Sequence, residues 1–167
     1  MVEVKIRATA AHDRDARAEV VRQAWEAAYS EIFTAREIAS VFNGSTAMVG
    51  SWTNRRIREV ATLVAELNGQ VIGIAGAALL AEGDGELTAL YVLPAFQGTG
   101  VGTQLWHGCC RELYDLGVGR MEVWTMARAA ARRFYEARGC RPFGAGTFSI
   151  GSHSEDVVGY EAATSSS

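Results

Sequence analysis

The residues best placed by type and spacing to do chemistry are Gln97-Gly98-Thr99-Gly100-Val101-Gly102. They follow the apolar run Leu90-Tyr91-Val92-Leu93 and open a stretch of helical periodicity, so the segment reads strand, tight turn, helix start. A helix N-terminus leaves several N–H groups without acceptors and carries the positive end of the helix dipole. Glycines let such a backbone approach a phosphate with no Cβ in the way. They serve a tight strand-to-helix turn equally well, and taken alone the segment leaves both readings open. It is not a dinucleotide loop, because no βαβ unit with a ribose-binding carboxylate follows, nor a Walker A loop, because no Gly-Lys-Ser/Thr closes it.

The other reactive side chains form no constellation of their own. Cys109 and Cys110 are adjacent and Cys140 stands apart. Without C-x-x-C or Cys/His spacing they indicate no metal site and no disulfide framework, and free thiols fit a reducing compartment. His12 and His107 are scattered, and His107, mid-helix beside Trp106, reads as structural.

Those residues need a scaffold, and 167 residues suit one domain with a substantial core. Apolar residues at 49% against 21% charged describe a globular chain rather than a disordered one. The net charge of −3 offers no basic field for nucleic acid. Met1–Thr9 alternates apolar and charged residues and lacks the apolar run of a signal peptide. No stretch approaches a membrane span. The expectation is a cytoplasmic protein with no nucleic-acid or membrane partner.

Val2, Val4 and Ile6 alternate with charged residues as a first strand does. A helix is expected over roughly Asp13–Ser30, with Val21, Trp25, Ala28 and Ile32 on one face. Ala35–Phe42 reads as a second helix and Trp52–Glu59 as a short basic one, with a break at Asn43-Gly44-Ser45. Ala61–Leu67 and Gln70–Leu80 are strands joined at Asn68-Gly69, a strong hairpin signal. Glu82-Gly83-Asp84-Gly85 turns into the strand Glu86–Leu93. The helix from about Val101 to Leu116 stops at Gly117 and Gly119. A strand over Met121–Met126, a helix over about Ala129–Arg138 capped by Gly139, and two closing strands around Gly151–Ser154 complete one domain, residues 1–162. Residues 163–167 are expected to be a disordered tail.

With these elements in place, the chain resembles the GNAT superfamily of acyl-CoA-dependent N-acyltransferases. Gln97–Gly102 matches that family's Q/R-x-x-G-x-G/A pyrophosphate loop. Phe134-Tyr135-Glu136 followed by Gly139 is similar to its later F-Y-E-x-x-G-F signature, and Trp25 with Tyr29 is similar to its first helix. The order of elements agrees over roughly residues 2–161. The resemblance implies a mixed α/β fold with a central, largely antiparallel twisted sheet flanked by helices on both faces. It implies acetyl transfer from acetyl-CoA to a primary amine, of a small molecule or a peptide, by direct attack in a ternary complex. It also allows a homodimer. The alternatives are transfer of a larger acyl group and an acyl-CoA sensor without turnover.

By the same resemblance, the strand before the loop is splayed from its neighbour, and backbone at Leu90, Tyr91 and Val92 faces the pantetheine arm. Amides of Gln97, Gly98, Thr99, Gly100, Val101, Gly102 and Thr103 hold the pyrophosphate. Phe134 flanks the arm, the small Ala130 and Ala131 either leave room for it or serve close helix packing, and the N–H near Val92 is the oxyanion donor. Arg128 stands where the family often has Asn, either reaching a CoA phosphate or simply solvated. Cys140 replaces the usual Phe and packs in the core. Tyr135 falls on the family's general acid. Glu86, at the head of the cofactor strand, is either a general base or a turn-flanking carboxylate. Tyr29 and Trp52 are expected as acceptor-site walls, His153 lies where substrate loops occur, and no metal is implied.

Overall fold

The computed structural model describes residues 3–165. Its centre is an eight-stranded sheet in the order β1-β3-β4-β5-β6-β8-β7-β2. The strands are β1 (Lys5–Ala8), β2 (Met48–Gly50), β3 (Arg56–Leu67), β4 (Gln70–Leu80), β5 (Gly85–Val92), β6 (Arg120–Met126), β7 (Arg141–Ile150) and β8 (His153–Ala163). Among them run the helices α1 (Arg14–Tyr29), α2 (Ala35–Phe42), α3 (Val101–Asp115) and α4 (Ala131–Glu136). All neighbouring strands are antiparallel except β5 and β6. A parallel pair needs a crossover connection, and α3 supplies it. The structure thus has the mixed α/β architecture the resemblance implies.

β4 is buried continuously from Val71 to Ala78. A strand covered on one face alone would alternate; α1 and α3 both pack against it. The Asn68-Gly69 hairpin forms as expected between β3 and β4. Thr34 and Glu37 start α2 with a capping box: Glu37 N–H donates to Thr34 Oγ1 (3.2 Å) and Thr34 N–H to Glu37 Oε2 (2.8 Å).

Several elements depart from the sequence reading. Trp52–Glu59 is not a helix: a short 3-10 turn at Thr53–Arg55 leads directly into β3. Ladder pairing of Arg56 with Leu80 and the ion pairs of Arg55 and Arg56 outweigh local helix preference there. The buried face of α1 is Val20, Ala24, Trp25 and Tyr29. Ala28, expected in the core, is exposed and faces a cleft. Helix α4 is shorter than Ala129–Arg138, and the three-residue β2 had no clear periodicity to announce it. Two residues expected in the tail are ordered: Ala163 ends β8, and buried Thr164 donates its hydroxyl to the Val118 carbonyl. Val2, Ser166 and Ser167 lie outside the described residues.

Candidate active site

β5 and β6 are paired only over Gly85–Leu87 and Met121–Val123. Beyond that each strand keeps its outer partner, β4 or β8, and the two diverge. The gap opens into a cleft of about 890 Å³. Leu90, Tyr91 and Val92 line it on one side and Val123, Trp124 and Thr125 on the other. Leu93 N–H donates to the Ile72 carbonyl on the β4 side (2.8 Å). Strand alternation then turns the backbone groups of Val92 and Leu90 toward the gap. Gln97 Nε2 donates to the Val92 carbonyl (3.0 Å), which fits that direction and ties the following loop to the strand end.

The glycine loop closes the far end of the cleft. Gly100 is the N-cap of α3 at φ +92°, a conformation costly for a residue with a Cβ. A Cβ there would meet nothing within 4 Å, so it is open space above the backbone that the loop preserves. The first helical bond runs from Gln104 N–H to the Gly100 carbonyl (3.1 Å), which leaves Val101, Gly102 and Thr103 N–H with no helical acceptor behind them. The side chains of Thr99 and Val101 do not line the cleft; Val101 is buried in the core, so only its amide can serve a ligand.

Arg138, to which sequence reasoning gave no role, completes this end. Its guanidinium lies 3.2 Å from the Phe134 ring centroid and donates to Thr103 Oγ1 and to the Phe134 carbonyl. Its Nε is buried without a hydrogen-bond partner, and among the described residues it has no carboxylate partner. Burial lowers its pKa from the ordinary arginine value. A half-buried cation with no acid partner, beside orphaned helix amides, suits an anion. Diphosphate chemistry fits these residues.

Tyr135 lines the cleft and is 6% exposed. The end of α4 holds it: Gly139 at φ +75° lets Gly139 N–H reach the Glu136 carbonyl and Cys140 N–H the Tyr135 carbonyl, each at 3.1 Å. Burial pushes the phenol pKa well above its usual value, so Tyr135 is a proton donor at neutral pH. Tyr29 and Tyr91 also line the cleft and are raised by burial. Cys140 is buried as expected, and burial pushes its thiol up to about 11. Ala130, Ala131 and Phe134 flank the cleft.

Three expected site residues have a different setting. Glu86 is 1% exposed and absent from the cleft lining. Its carboxylate accepts from Arg56 Nε (2.8 Å), Arg56 Nη2 (2.6 Å) and Trp52 Nε1 (3.1 Å). Trp52 is likewise not a cleft wall, because it stacks behind Trp124 with ring centroids 5.2 Å apart. Trp124 is the indole that lines the cleft. Its room comes from Gly144, Gly146 and Gly159, where an added Cβ would lie within 3.4 Å of the ring. Glycines inside strands signal such a close approach, and that signal was there to be read. Arg128 lines the cleft but pairs with Glu155 (2.6 Å). Glu155 in turn meets His153 Nε2 (2.9 Å), whose Nδ1 meets Glu37 (2.8 Å). His153 therefore ties α2 to β8.

Residues 19–140 match the model of the acetyltransferase (GNAT) family. Uncharacterized N-acetyltransferases of Mycobacterium tuberculosis and Mycobacterium bovis are 34% identical over 102 residues. That stretch is 58% of this chain and 62% of theirs, so the match spans less than two-thirds of the relatives' length. Among solved structures, the PaiA N-acetyltransferase from Thermoplasma acidophilum, in complex with coenzyme A, superposes with a TM-score of 0.76 at 18% identity, covering 96% of this chain and 99% of that one. The ribosomal-protein-S18-alanine N-acetyltransferase from Escherichia coli gives 0.66 at 18% identity, covering 98% and 95%. At such identities the likeness is one of fold.

Proposed function

Because this chain belongs to the acetyltransferase (GNAT) family, we propose that it transfers an acetyl group from acetyl-CoA to a primary amine by direct attack in a ternary complex. One observation carries the reading. A single cleft joins the orphaned amides of the α3 N-terminus, through the gap between β5 and β6, to the buried, protonated phenol of Tyr135.

Acetyl-CoA supplies the thioester: attack by a neutral amine forms the N–C bond, breaks the C–S bond, and leaves a thiolate to be protonated and an ammonium to be deprotonated. Val101, Gly102 and Thr103 amides, with Arg138, bind the diphosphate. Leu90 and Val92 offer strand-edge groups to the arm, and Val92 N–H faces the developing oxyanion. Tyr135 donates its proton to the leaving sulfur. Glu86, held by Arg56 and Trp52, is not placed to take the amine proton, so water entering by the open cleft mouth takes it.

The test is release of free thiol from acetyl-CoA against a panel of small-molecule and peptide amines. Amine-dependent release that Tyr135→Phe slows supports the reading. Binding of acetyl-CoA without release for any amine would favour a sensor, and no binding would end the proposal.

A further inference from the structure

The turn from β2 into β3 is fastened to strands on both sides of the gap. Ser51 exchanges hydrogen bonds with Thr147 of β7, its N–H donating to the carbonyl (3.0 Å) and its Oγ accepting from the N–H (3.1 Å). Trp52 and Arg56 hold Glu86 of β5. Arg55 Nη1 donates to Glu122 Oε2 of β6 (3.1 Å), and its Nη2 lies 2.8 Å from Oε1. Trp124 Nε1 also donates to Glu122 Oε2 (2.9 Å). The arrangement is a matched pair. Each of two adjacent strands offers one glutamate, and each glutamate receives one arginine and one indole N–H, the two indoles being stacked at 12°.

Position gives the pair its meaning. Glu86 and Glu122 are register partners at the centre of the three pairs that join β5 to β6. Both are 1% exposed. Neighbouring strands lie about 4.8 Å apart, and like charges directly opposite one another push strands apart. Burial strengthens that repulsion, since little water screens it. At the vertex of the gap Arg56 offsets Glu86, and Arg55, which also pairs with the exposed Glu82, offsets Glu122; with one arginine missing, the force falls on the short ladder that sets how the strands diverge.

We propose that Arg55 and Glu122, with their counterparts Arg56 and Glu86, are positioning residues that set the width of the slot between β5 and β6, and so its fit to the thioester arm. This rests on the reading of the cleft as an acyl-CoA site. None of the four lines the cleft, so each acts through backbone placement.

The experiment compares wild type, Arg55→Gln and the double variant Arg55→Gln/Glu122→Gln, which removes both charges while leaving an acceptor for Trp124. Calorimetry gives the Kd of coenzyme A and of its nucleotide half, 3′-phospho-ADP, which needs the glycine loop but not the slot. Hydrogen exchange follows the amides of Gly85–Leu87 and Met121–Val123. Arg55→Gln should weaken coenzyme A on the order of tenfold through misplacement of the slot, leave 3′-phospho-ADP unchanged and speed exchange. The double variant should restore both readouts. Wild-type coenzyme A affinity in folded Arg55→Gln, equal losses for both ligands, or a double variant no better than the single one overturns the proposal. If Arg55→Gln does not fold, Arg55→Lys should show a smaller loss confined to coenzyme A, and unchanged affinity there also overturns it. If wild type binds no coenzyme A, the acyl-CoA reading fails by itself, and exchange alone decides whether the charges set the divergence.

Discussion

The hydroxyl of Tyr135 has no protein hydrogen bond among the described residues, and this makes Tyr135→Phe an informative substitution. No buried partner is stranded when it goes, so melting temperature and acetyl-CoA affinity should hold. Turnover should fall toward the low end of the roughly 10²–10⁴ that proton transfer supplies, because a thiolate is a tolerable leaving group. Single-turnover thiol release checks this. Glu86 calls for the opposite pattern. Glu86→Gln keeps an acceptor for Trp52 but leaves Arg56 without its counter-charge, so melting temperature should drop and coenzyme A should bind more weakly through the disturbed slot, while kcat at saturating acetyl-CoA stays within a few-fold of wild type. The pH–rate profile should rise toward the pKa of the acceptor amine in both proteins. A loss of roughly a hundredfold that shrinks at high pH would return Glu86 to the role of base. Sequence alone could not choose between these roles. Glu86 stands at the head of the strand whichever it plays, and the deciding fact is Arg56, thirty positions away in the chain and brought near by the pairing of β3 with β4.

Two elements carry predictions of their own. Gly100→Val forces a β-branched residue to φ +92° at the start of α3, at about 1–2 kcal/mol, and fills the open space above the amides. Calorimetry should find acetyl-CoA binding abolished in a protein that still folds; intact affinity would remove the loop from the site. Elsewhere, α2 is held to β8 through His153. Glu155 and then Glu37 raise its pKa from an ordinary 6.5. A raised histidine contributes stability fully present below about 6.5, lost as pH rises through the folded value. Glu37, by its bond to Thr34 N–H, and Glu155, by its pair with Arg128, are both lowered from 4.5, so their contribution disappears as pH falls through their folded values. The advantage of wild type over His153→Gln should therefore be largest between those limits and fade on the alkaline side, as thermal melts across pH can show. These elements were largely legible: Thr34 with Glu37 announces α2, and Asn68-Gly69 announces the hairpin. Trp52–Glu59 was misread because its local pattern carries no trace of the buried carboxylates that draw its arginines into position.

For the whole molecule, occupancy of the cleft joins both sides of the divided sheet, so ligand should stabilise it globally. Coenzyme A at a hundred times its Kd should add about 2.7 kcal/mol. For a domain of this size that is a rise in Tm of roughly 5–10 °C, which should grow logarithmically with concentration. A flat Tm would mean that coenzyme A does not prefer the folded state. The same division explains what the sequence disclosed of the site. The glycine loop and Tyr135 lie in contiguous motifs and could be read directly, whereas Trp124, Arg138 and Glu122 matter only through residues far along the chain. The stacked indoles have an optical consequence. Two chromophores 5.2 Å apart with nearly parallel ring planes share their electronic excitations, so the pair absorbs circularly polarised light as a coupled unit. One belongs to the turn before β3 and the other to β6, and the near-ultraviolet dichroism of the unlabelled protein therefore carries a built-in gauge of the vertex from which the cleft opens.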